Sequence, residues 1–420
     1  MTPEEQLYAI VEQGLCIGCG LCQAVAGKDK IEVVKTTTGS ERPIVVGELD
    51  QATVDQIYDT CPGVRVDGLP EALIEKDTKV DNVWGPWRRM VKAWASDPDV
   101  RHQGSTGGVM SALGTYLLKS KQVDFVLHVK ASATNPTFGE PHLSFTEADI
   151  MEGAGSRYGP TPPLLDIKSV LDRGQPFAFF AKPCDVAGLR NYARHDPRVG
   201  QLVKFTVAMV CGGYGAPATT EGFLDRIGMK MGELTAFRYR GFGCPGPTRA
   251  EVGDKVEEAH YLDYWGEDES MWGLPFRCKV CPDGIGETCD LAVSDTWVGG
   301  SPNRTDSVTD LGENGVVART KAGETLLAAA ERDNYLTIEH DITPDDMSIY
   351  QPHQMRKKYA VWARHQGLRD AGQLAPVTNR LRIKELASEL PDTTNNHQRQ
   401  GTIERVKMGK ATEQTPEKAI

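Results

Sequence analysis

The sequence predicts a mixed α/β protein of the α+β kind, with a small N-terminal module followed by a larger domain built on a mixed sheet with flanking helices. Three observations predict it. The stretch CIGCGLCQAVAGKDK, residues 16–30, sets three cysteines at the spacing of a ferredoxin-like cluster loop. From residue 101 onward, short apolar runs bounded by turns alternate with segments of helical periodicity. The last fifty residues lose that alternation and become polar.

At 420 residues the chain exceeds one ordinary core. Residues 1–75 read as the small module, which closes soon after DTCPGVRVDGLP, and residues 76–100, with DNVWGPWRRM, read as a connector. The body spans residues 101–370. There GGVMSALGTYLLKSK, CDVAGLRNYARH and TTEGFLDRIGMK have helical character, whereas VDFVLHVKA, PFAFFAKP, LVKFTVAMVCGG and LAVSDTW read as buried strands. Residues 371–420 form a polar tail in which the sequence shows no packed core.

Composition narrows the function classes. A net charge of −11 argues against broad nucleic-acid binding, which needs a surplus of Lys and Arg. No apolar run approaches the roughly 18 residues of a membrane helix, so stable membrane insertion is not expected. The opening MTPEEQLYAIVEQG is acidic and has no apolar signal segment, so a cytoplasmic enzyme is expected. Ten cysteines in such a chain point to metal or redox ligation and not to disulfides.

Their placement is specific. Cys16, Cys19 and Cys22 offer three thiolates from one tight loop, in which Gly18 and Gly20 free the backbone to wrap a cluster. Ala26 and Gly27 replace the Cys-Pro that would serve a second local cluster, and Cys61, followed by Pro62, supplies the fourth thiolate of a single 4Fe-4S cube. Zinc fits this three-plus-one spacing poorly, because its knuckles pair two and two. A second set starts from Cys278 and Cys281. Cys184, Cys211, Cys244 and Cys289 compete for its two remaining places, and spacing leaves that choice open. No Gly-x-Gly-x-x-Gly follows a strand and no Walker A sequence is present.

The stretches GSTGGVMSALGTYLL, GSRYGPT, AKPCDVAGLR, VCGGYGAP, FRCKVCPDGIGE, SDTW and QPHQMRKKYAVWARHQGL occur in the order seen in the coenzyme F420 hydrogenase/dehydrogenase beta-subunit family, which this sequence resembles over residues 101 to about 370. Within it, RYRGFGCPGPTR and WGEDESMWGLPFRCKVCPDGIGE look most like the branch of 7-hydroxymethyl chlorophyll a reductase and divinyl chlorophyllide 8-vinyl reductase. The resemblance implies a flavin-binding larger domain with FAD, two 4Fe-4S clusters and ferredoxin as a single-electron donor. It assigns Cys184 and Cys211 to the second cluster beside Cys278 and Cys281, with Cys244 in reserve. It also puts flavin contacts on Gly104, Ser105, Thr106, Gly107 and Gly108, on Ser156, Arg157 and Tyr158, and on Lys182. A glycine run before a helix suits that role, since the helix start offers free N–H groups and a positive dipole end.

The expected function is a ferredoxin-dependent iron-sulfur flavoprotein reductase. Electrons would enter at the cluster of Cys16, Cys19, Cys22 and Cys61, cross the second cluster and collect on FAD, for delivery to a conjugated small-molecule substrate such as a chlorophyll-type tetrapyrrole. The alternative is an electron-transfer beta subunit that oxidises reduced coenzyme F420 for a hydrogenase or dehydrogenase partner. His102 and Asp295 are the candidate proton donors, and Trp265, Trp272 and Trp297 could wall a flat substrate. Self-association as a homo-oligomer is left open by the sequence.

Overall fold

The structure is a computed structural model that describes residues 1–266 and 272–417, leaving aside the side chain of Val308. Residues 267–271, within the WGEDESMWG stretch that carries part of the resemblance, and residues 418–420 of the tail lie outside the described residues.

An eight-stranded mixed sheet organises the larger domain. Its order is Leu336–Asp341, Arg89–Ala95, Asn314–Ala318, Leu291–Asp295, Val203–Met209, Phe177–Ala181, Phe125–Ala131 and Gly139–Ser144. The four strands from Leu291–Asp295 to Phe125–Ala131 are mutually parallel, and each of the other four pairs antiparallel with its neighbours, so that Arg89–Ala95 again points the same way as the parallel block. All four sequence-predicted strands are in this parallel block. Its central member, FAFFA, is buried at every position, as a strand covered by helices on both faces requires. The predicted helices form as Val109–Lys119, Pro183–Tyr192 and Pro217–Arg226.

The expected connector is different. Arg89–Ala95 is an interior strand, with Met90, Val91, Ala93 and Ala95 buried. Its two charged residues conceal the apolar pattern in the sequence, but Arg89 is held by Asp341 (2.9 Å) and Lys92 by Glu313. The tail also departs from expectation. Val377–Asn379 pairs in parallel with Arg65–Asp67, the helix Asp392–Lys407 lies along the helix Pro352–Asp370, and Ala411 is buried. Residues 1–75 therefore do not close by themselves. Leu7, Ile10 and Ile57 share one continuous core with Leu164, Phe125 and Phe177, so the apolar surface of this segment is buried jointly with that of the larger domain. Among the described residues no helix is long and apolar enough to cross a membrane.

Candidate functional site

The first cysteine loop follows the helix Pro3–Glu12. Gly18 and Gly20 have φ of 70° and 86°, which turns the loop back on itself, and the Gly18 N–H lies 3.4 Å from Cys16 Sγ. Cys61 ends the helix Gln51–Thr60, its N–H donating to the Ile57 carbonyl at 2.7 Å. Cys16, Cys19, Cys22 and Cys61 lie within electrostatic reach of one another: Cys16 acts on Cys22 and Cys61, and Cys19 feels Cys61 and Cys22. Burial pushes the thiols of Cys19 and Cys22 well up and that of Cys61 to about 11. Four thiolates so enclosed, Cys19 buried and the other three half-buried, are costly unless cationic metal compensates them.

The second set converges from four places. Cys184 sits in the first turn of the helix Pro183–Tyr192, whose start is set by proline. Cys211 follows the strand Val203–Met209, Cys278 lies on the short helix Phe276–Lys279, and Cys281 comes just after it. Cys184 feels Cys211 and Cys281, and Cys211 feels Cys278 and Cys281, with burial raising the Cys211 thiol to about 12. Cys289 and Cys244 stand apart. Cys289 is fully buried, its Sγ bonded to the carbonyls of Gly286 (2.8 Å) and Leu291 (3.0 Å), and its charged neighbours are Arg319, Asp283 and Asp290. Cys244 lies near Arg240, Asp310 and Asp295.

Among the described residues, no three metal-binding side chains gather tightly enough around one point for a single ion. Zinc would draw its sulfurs to about 2.3 Å from a common centre, whereas a four-iron cube keeps each thiolate at a separate corner. Each set supplies four thiols within electrostatic reach of one another, a donor set of the chemistry a four-iron cube takes. The two sets also adjoin. Tyr214, buried, is within electrostatic reach of Cys278 and Cys16, and burial raises its phenol far above the usual range. Arg277, 1 % exposed, donates to the carbonyls of Pro62 (2.6 Å) and Gly63 (3.2 Å) and acts on both Cys61 and Cys278. Arg42 beside Cys16, and Lys357 and Lys182 beside Cys211, add positive charge.

A cavity opens at the carboxyl ends of the parallel strands, where open α/β sheets place their ligands. Its walls include Ser105, Thr106 and Gly108, the start of the helix Val109–Lys119, the segment Ser156–Tyr158, Lys182, Cys211 and Asp295. The second thiol set therefore reaches the cavity wall at Cys211. Ser105 Oγ accepts from the Ser156 N–H at 2.7 Å, which ties the two glycine-bearing segments together, and Thr106 Oγ1 accepts from Asn314 at 2.6 Å. Gly107 and Gly108 are required by the chain itself. A Cβ at Gly107 would meet Asn314 Oδ1 at 2.7 Å, and one at Gly108 the Val100 carbonyl at 2.7 Å.

Two cations face this cavity differently. Arg157 donates to the carbonyls of Phe237 (2.9 Å) and Pro136 (3.2 Å), its enclosed Nε has no partner, and among the described residues it forms no ion pair. Burial lowers its pKa. Lys182 lies 2.8 Å from Asp185 and 2.7 Å from Thr161 Oγ1. Burial opposes its charge, but Asp185 and Cys184 outweigh that and raise it above the usual range. A half-buried cation on the cavity wall without a carboxylate suits an anionic ligand arm, so this donor set fits a phosphate-bearing cofactor such as FAD.

The two expected proton donors part company. Asp295 lines the cavity, but both its oxygens accept from Arg240, at 3.0 and 3.1 Å. His102 is exposed, and it is not among the cavity's lining residues; its ring lies 6.1 Å from that of Phe242. His353, which no sequence signal singled out, lines the cavity with a buried, unpartnered Nδ1. Burial, then Lys357 and Arg356, lower its pKa to about 4. The same holds for Arg240, buried between Tyr261 and Trp297 and donating to the Ser105 carbonyl at 2.8 Å. Both residues fall inside stretches singled out by resemblance, QPHQMRKKY and RYRGFGCPGP. Trp265, Trp272 and Trp297 all reach the cavity wall.

Two family models match the larger domain. That for the C terminus of the coenzyme F420 hydrogenase/dehydrogenase beta subunit covers residues 174–343, and that for its N-terminal part covers residues 90–168. The chain is 22% identical over 352 residues to the coenzyme F420-dependent sulfite reductase of Methanocaldococcus jannaschii, spanning 80% of this chain but only 49% of that protein. It is 20% identical to the coenzyme F420 hydrogenase subunit beta of Methanothermobacter thermautotrophicus, over 59% of this chain and 83% of the relative. A chain in the structure of the F420-reducing NiFe hydrogenase complex from Methanosarcina barkeri shares the fold, with a TM-score of 0.52 and 20% identity over 66% of this chain and 92% of that one.

Proposed function

Because the chain belongs to the coenzyme F420 hydrogenase/dehydrogenase beta-subunit family, we propose that it is an oxidoreductase which exchanges a hydride equivalent with coenzyme F420 in the cavity and relays single electrons to or from a protein partner. The observation that carries this reading is the continuity of the site: one thiol four adjoins the other through Tyr214 and Arg277, and the second ends in the cavity wall at Cys211. The relatives bear F420-dependent names, which favours the deazaflavin alternative over the tetrapyrrole reductase first expected. No feature of the described residues singles out a macrocycle.

Cys16, Cys19, Cys22 and Cys61 would hold one 4Fe-4S cluster, and Cys184, Cys211, Cys278 and Cys281 the other. A flavin bound in the cavity would supply the exchange between two-electron and one-electron chemistry. Arg157 provides the uncompensated positive charge for its phosphate arm, and Lys182 with Asp185 fixes the wall between that arm and the second thiol set. Arg240, clamped by Asp295, holds the Ser105 turn in place. His353 is neutral near pH 7 and offers Nδ1 as a proton acceptor.

Anaerobically purified protein is expected to contain about eight irons and one flavin, and to bleach or restore coenzyme F420 absorbance when mixed with a one-electron viologen dye. Full cofactor content with no F420 turnover would sink the substrate while leaving the relay. Arg157→Ala is expected to weaken flavin retention by about tenfold or more, since it removes a charge-assisted contact; unchanged flavin content after gel filtration refutes that role. His353→Gln is expected to keep both cofactors and lose on the order of 10²-fold in turnover. The histidine's contribution is present above about pH 4 and lost below it, so the variant's profile should lack that acid limb.

A further inference from the structure

A basic patch covers the seam between the two thiol sets on a chain whose net charge is −11. Lys279 stands between Cys278 and Cys281, and three cations from other elements act on it: Arg405, Lys410 and Arg364. Arg364 comes from the helix Pro352–Asp370 and donates to the Lys279 carbonyl at 2.7 Å and to Gln398 at 2.9 Å. Arg405 lies in the last turn of the helix Asp392–Lys407, and Lys410 just beyond it donates its N–H to the Arg405 carbonyl at 2.9 Å. The next residue, Ala411, places its carbonyl where a Cβ on Gly14 would meet it at 2.5 Å, and that same Cβ would meet Phe276 at 3.3 Å. Gly14 precedes Cys16 and Phe276 precedes Cys278, so the patch lies beside both sets.

These four cations repel one another, and none forms an ion pair among the described residues. Of the acids near the C-terminal end of the patch, Glu413 is bidentate on Arg42 (2.7 and 2.9 Å), Glu12, whose carbonyl accepts the Glu413 N–H, accepts from Thr415, and Glu404, next to Arg405, is exposed and forms no ion pair among the described residues. Cations at a helix C-terminus are ordinary, since the dipole favours them. That accounts for Arg405, and for Lys279 at the end of the one-turn helix Phe276–Lys279, but not for Arg364, which lies more than a turn inside its own helix. Compensation of cluster charge accounts for Lys279 but poorly for the exposed Arg405 and Lys410, whose fields water and salt screen. None of the four lines the cavity, and Met408, 64 % exposed, lies among them in sequence. The surface is open and suits a protein more than a small anion.

We propose that Lys279, Arg364, Arg405 and Lys410 form the docking surface for an acidic one-electron carrier protein, which exchanges electrons with the thiol-held clusters directly beneath. An acidic carrier is repelled by most of this acidic chain and attracted here, so the charge pattern itself selects the approach that brings the two redox centres together. The inference rests on the relay proposed above, and its test separates the two.

The experiment titrates the holoprotein with a small acidic 2Fe-2S ferredoxin, by calorimetry at about 20 and about 200 mM salt, and compares the wild type with Arg405→Glu/Lys410→Glu. Both substituted positions are exposed and outside the relay, so iron, flavin and viologen-linked turnover should stay unchanged. The wild-type Kd is expected to weaken steeply with salt, and the double variant to bind at least tenfold more weakly with a flatter salt dependence. Absence of wild-type binding, or an equal Kd in the variant, overturns the surface. Missing iron or missing dye-linked turnover overturns the relay instead.

Discussion

Anaerobically purified Cys61→Ala is expected to carry about four irons in place of about eight, with its flavin content unchanged. Cys184→Ala should lose the same amount from the other set, and Cys61→Ala/Cys184→Ala nearly all of it. The two losses are independent because each thiol acts chiefly within its own four. Cys244→Ala and Cys289→Ala are the controls. Neither side chain has another cysteine among its charged neighbours, and Cys289 Sγ is satisfied by two carbonyls, so both variants should retain full iron and acid-labile sulfide. Iron lost from Cys289→Ala, or retained by Cys184→Ala, would overturn the assignment of the second set.

Glu287→Gln is expected to be the most destabilising single change of a charged residue. Glu287 is fully buried in the loop that follows Cys281, and its carboxylate is held by Lys358 and Arg382, with Arg319 nearby. Removing its charge strands the Lys358 ammonium, whose side chain is 3 % exposed. Breaking a buried pair from one side costs about 3–5 kcal/mol, measurable as a lower guanidinium midpoint of the holoprotein. Replacing both partners, in Glu287→Met/Lys358→Met, should recover much of that loss; a double variant less stable than Glu287→Gln would contradict it. The pH dependence has a definite sign. Burial raises the Glu287 pKa, but Lys358, Arg382 and Arg319 outweigh it and hold it below the ordinary value. The unfolded state therefore binds the proton first as pH falls. This contribution is complete above about pH 4.3 and is lost as acid titrates the folded carboxylate.

Much of the arrangement was legible in the residues. The triplet Cys16, Cys19 and Cys22 with Cys61 is a local spacing plus one cysteine, and Cys278 with Cys281 is local as well. Strands such as Phe177–Ala181 were visible because burial on both faces demands an unbroken apolar run. The strand Arg89–Ala95 was not, because Arg89 and Lys92 find their counter-charges on Asp341 and Glu313, far along the chain. Polar composition likewise made residues 371–420 read as a tail, although Ala411 is buried and Glu413 meets Arg42 across the fold.

The sequence by itself determined the features of neighbouring residues: cysteines in ligand spacing, an α/β body and a glycine-bearing helix start. Only the tertiary structure shows Cys184 and Cys211 within reach of Cys278 and Cys281 while Cys244 and Cys289 stand apart, puts His353 and not His102 on the cavity wall, and brings Arg364, Arg405 and Lys410 to Lys279. Each of these depends on contacts between segments distant in sequence, and residue type carries no information about which distant segment a side chain will face. The cost of burying charge then limits which of those meetings can persist.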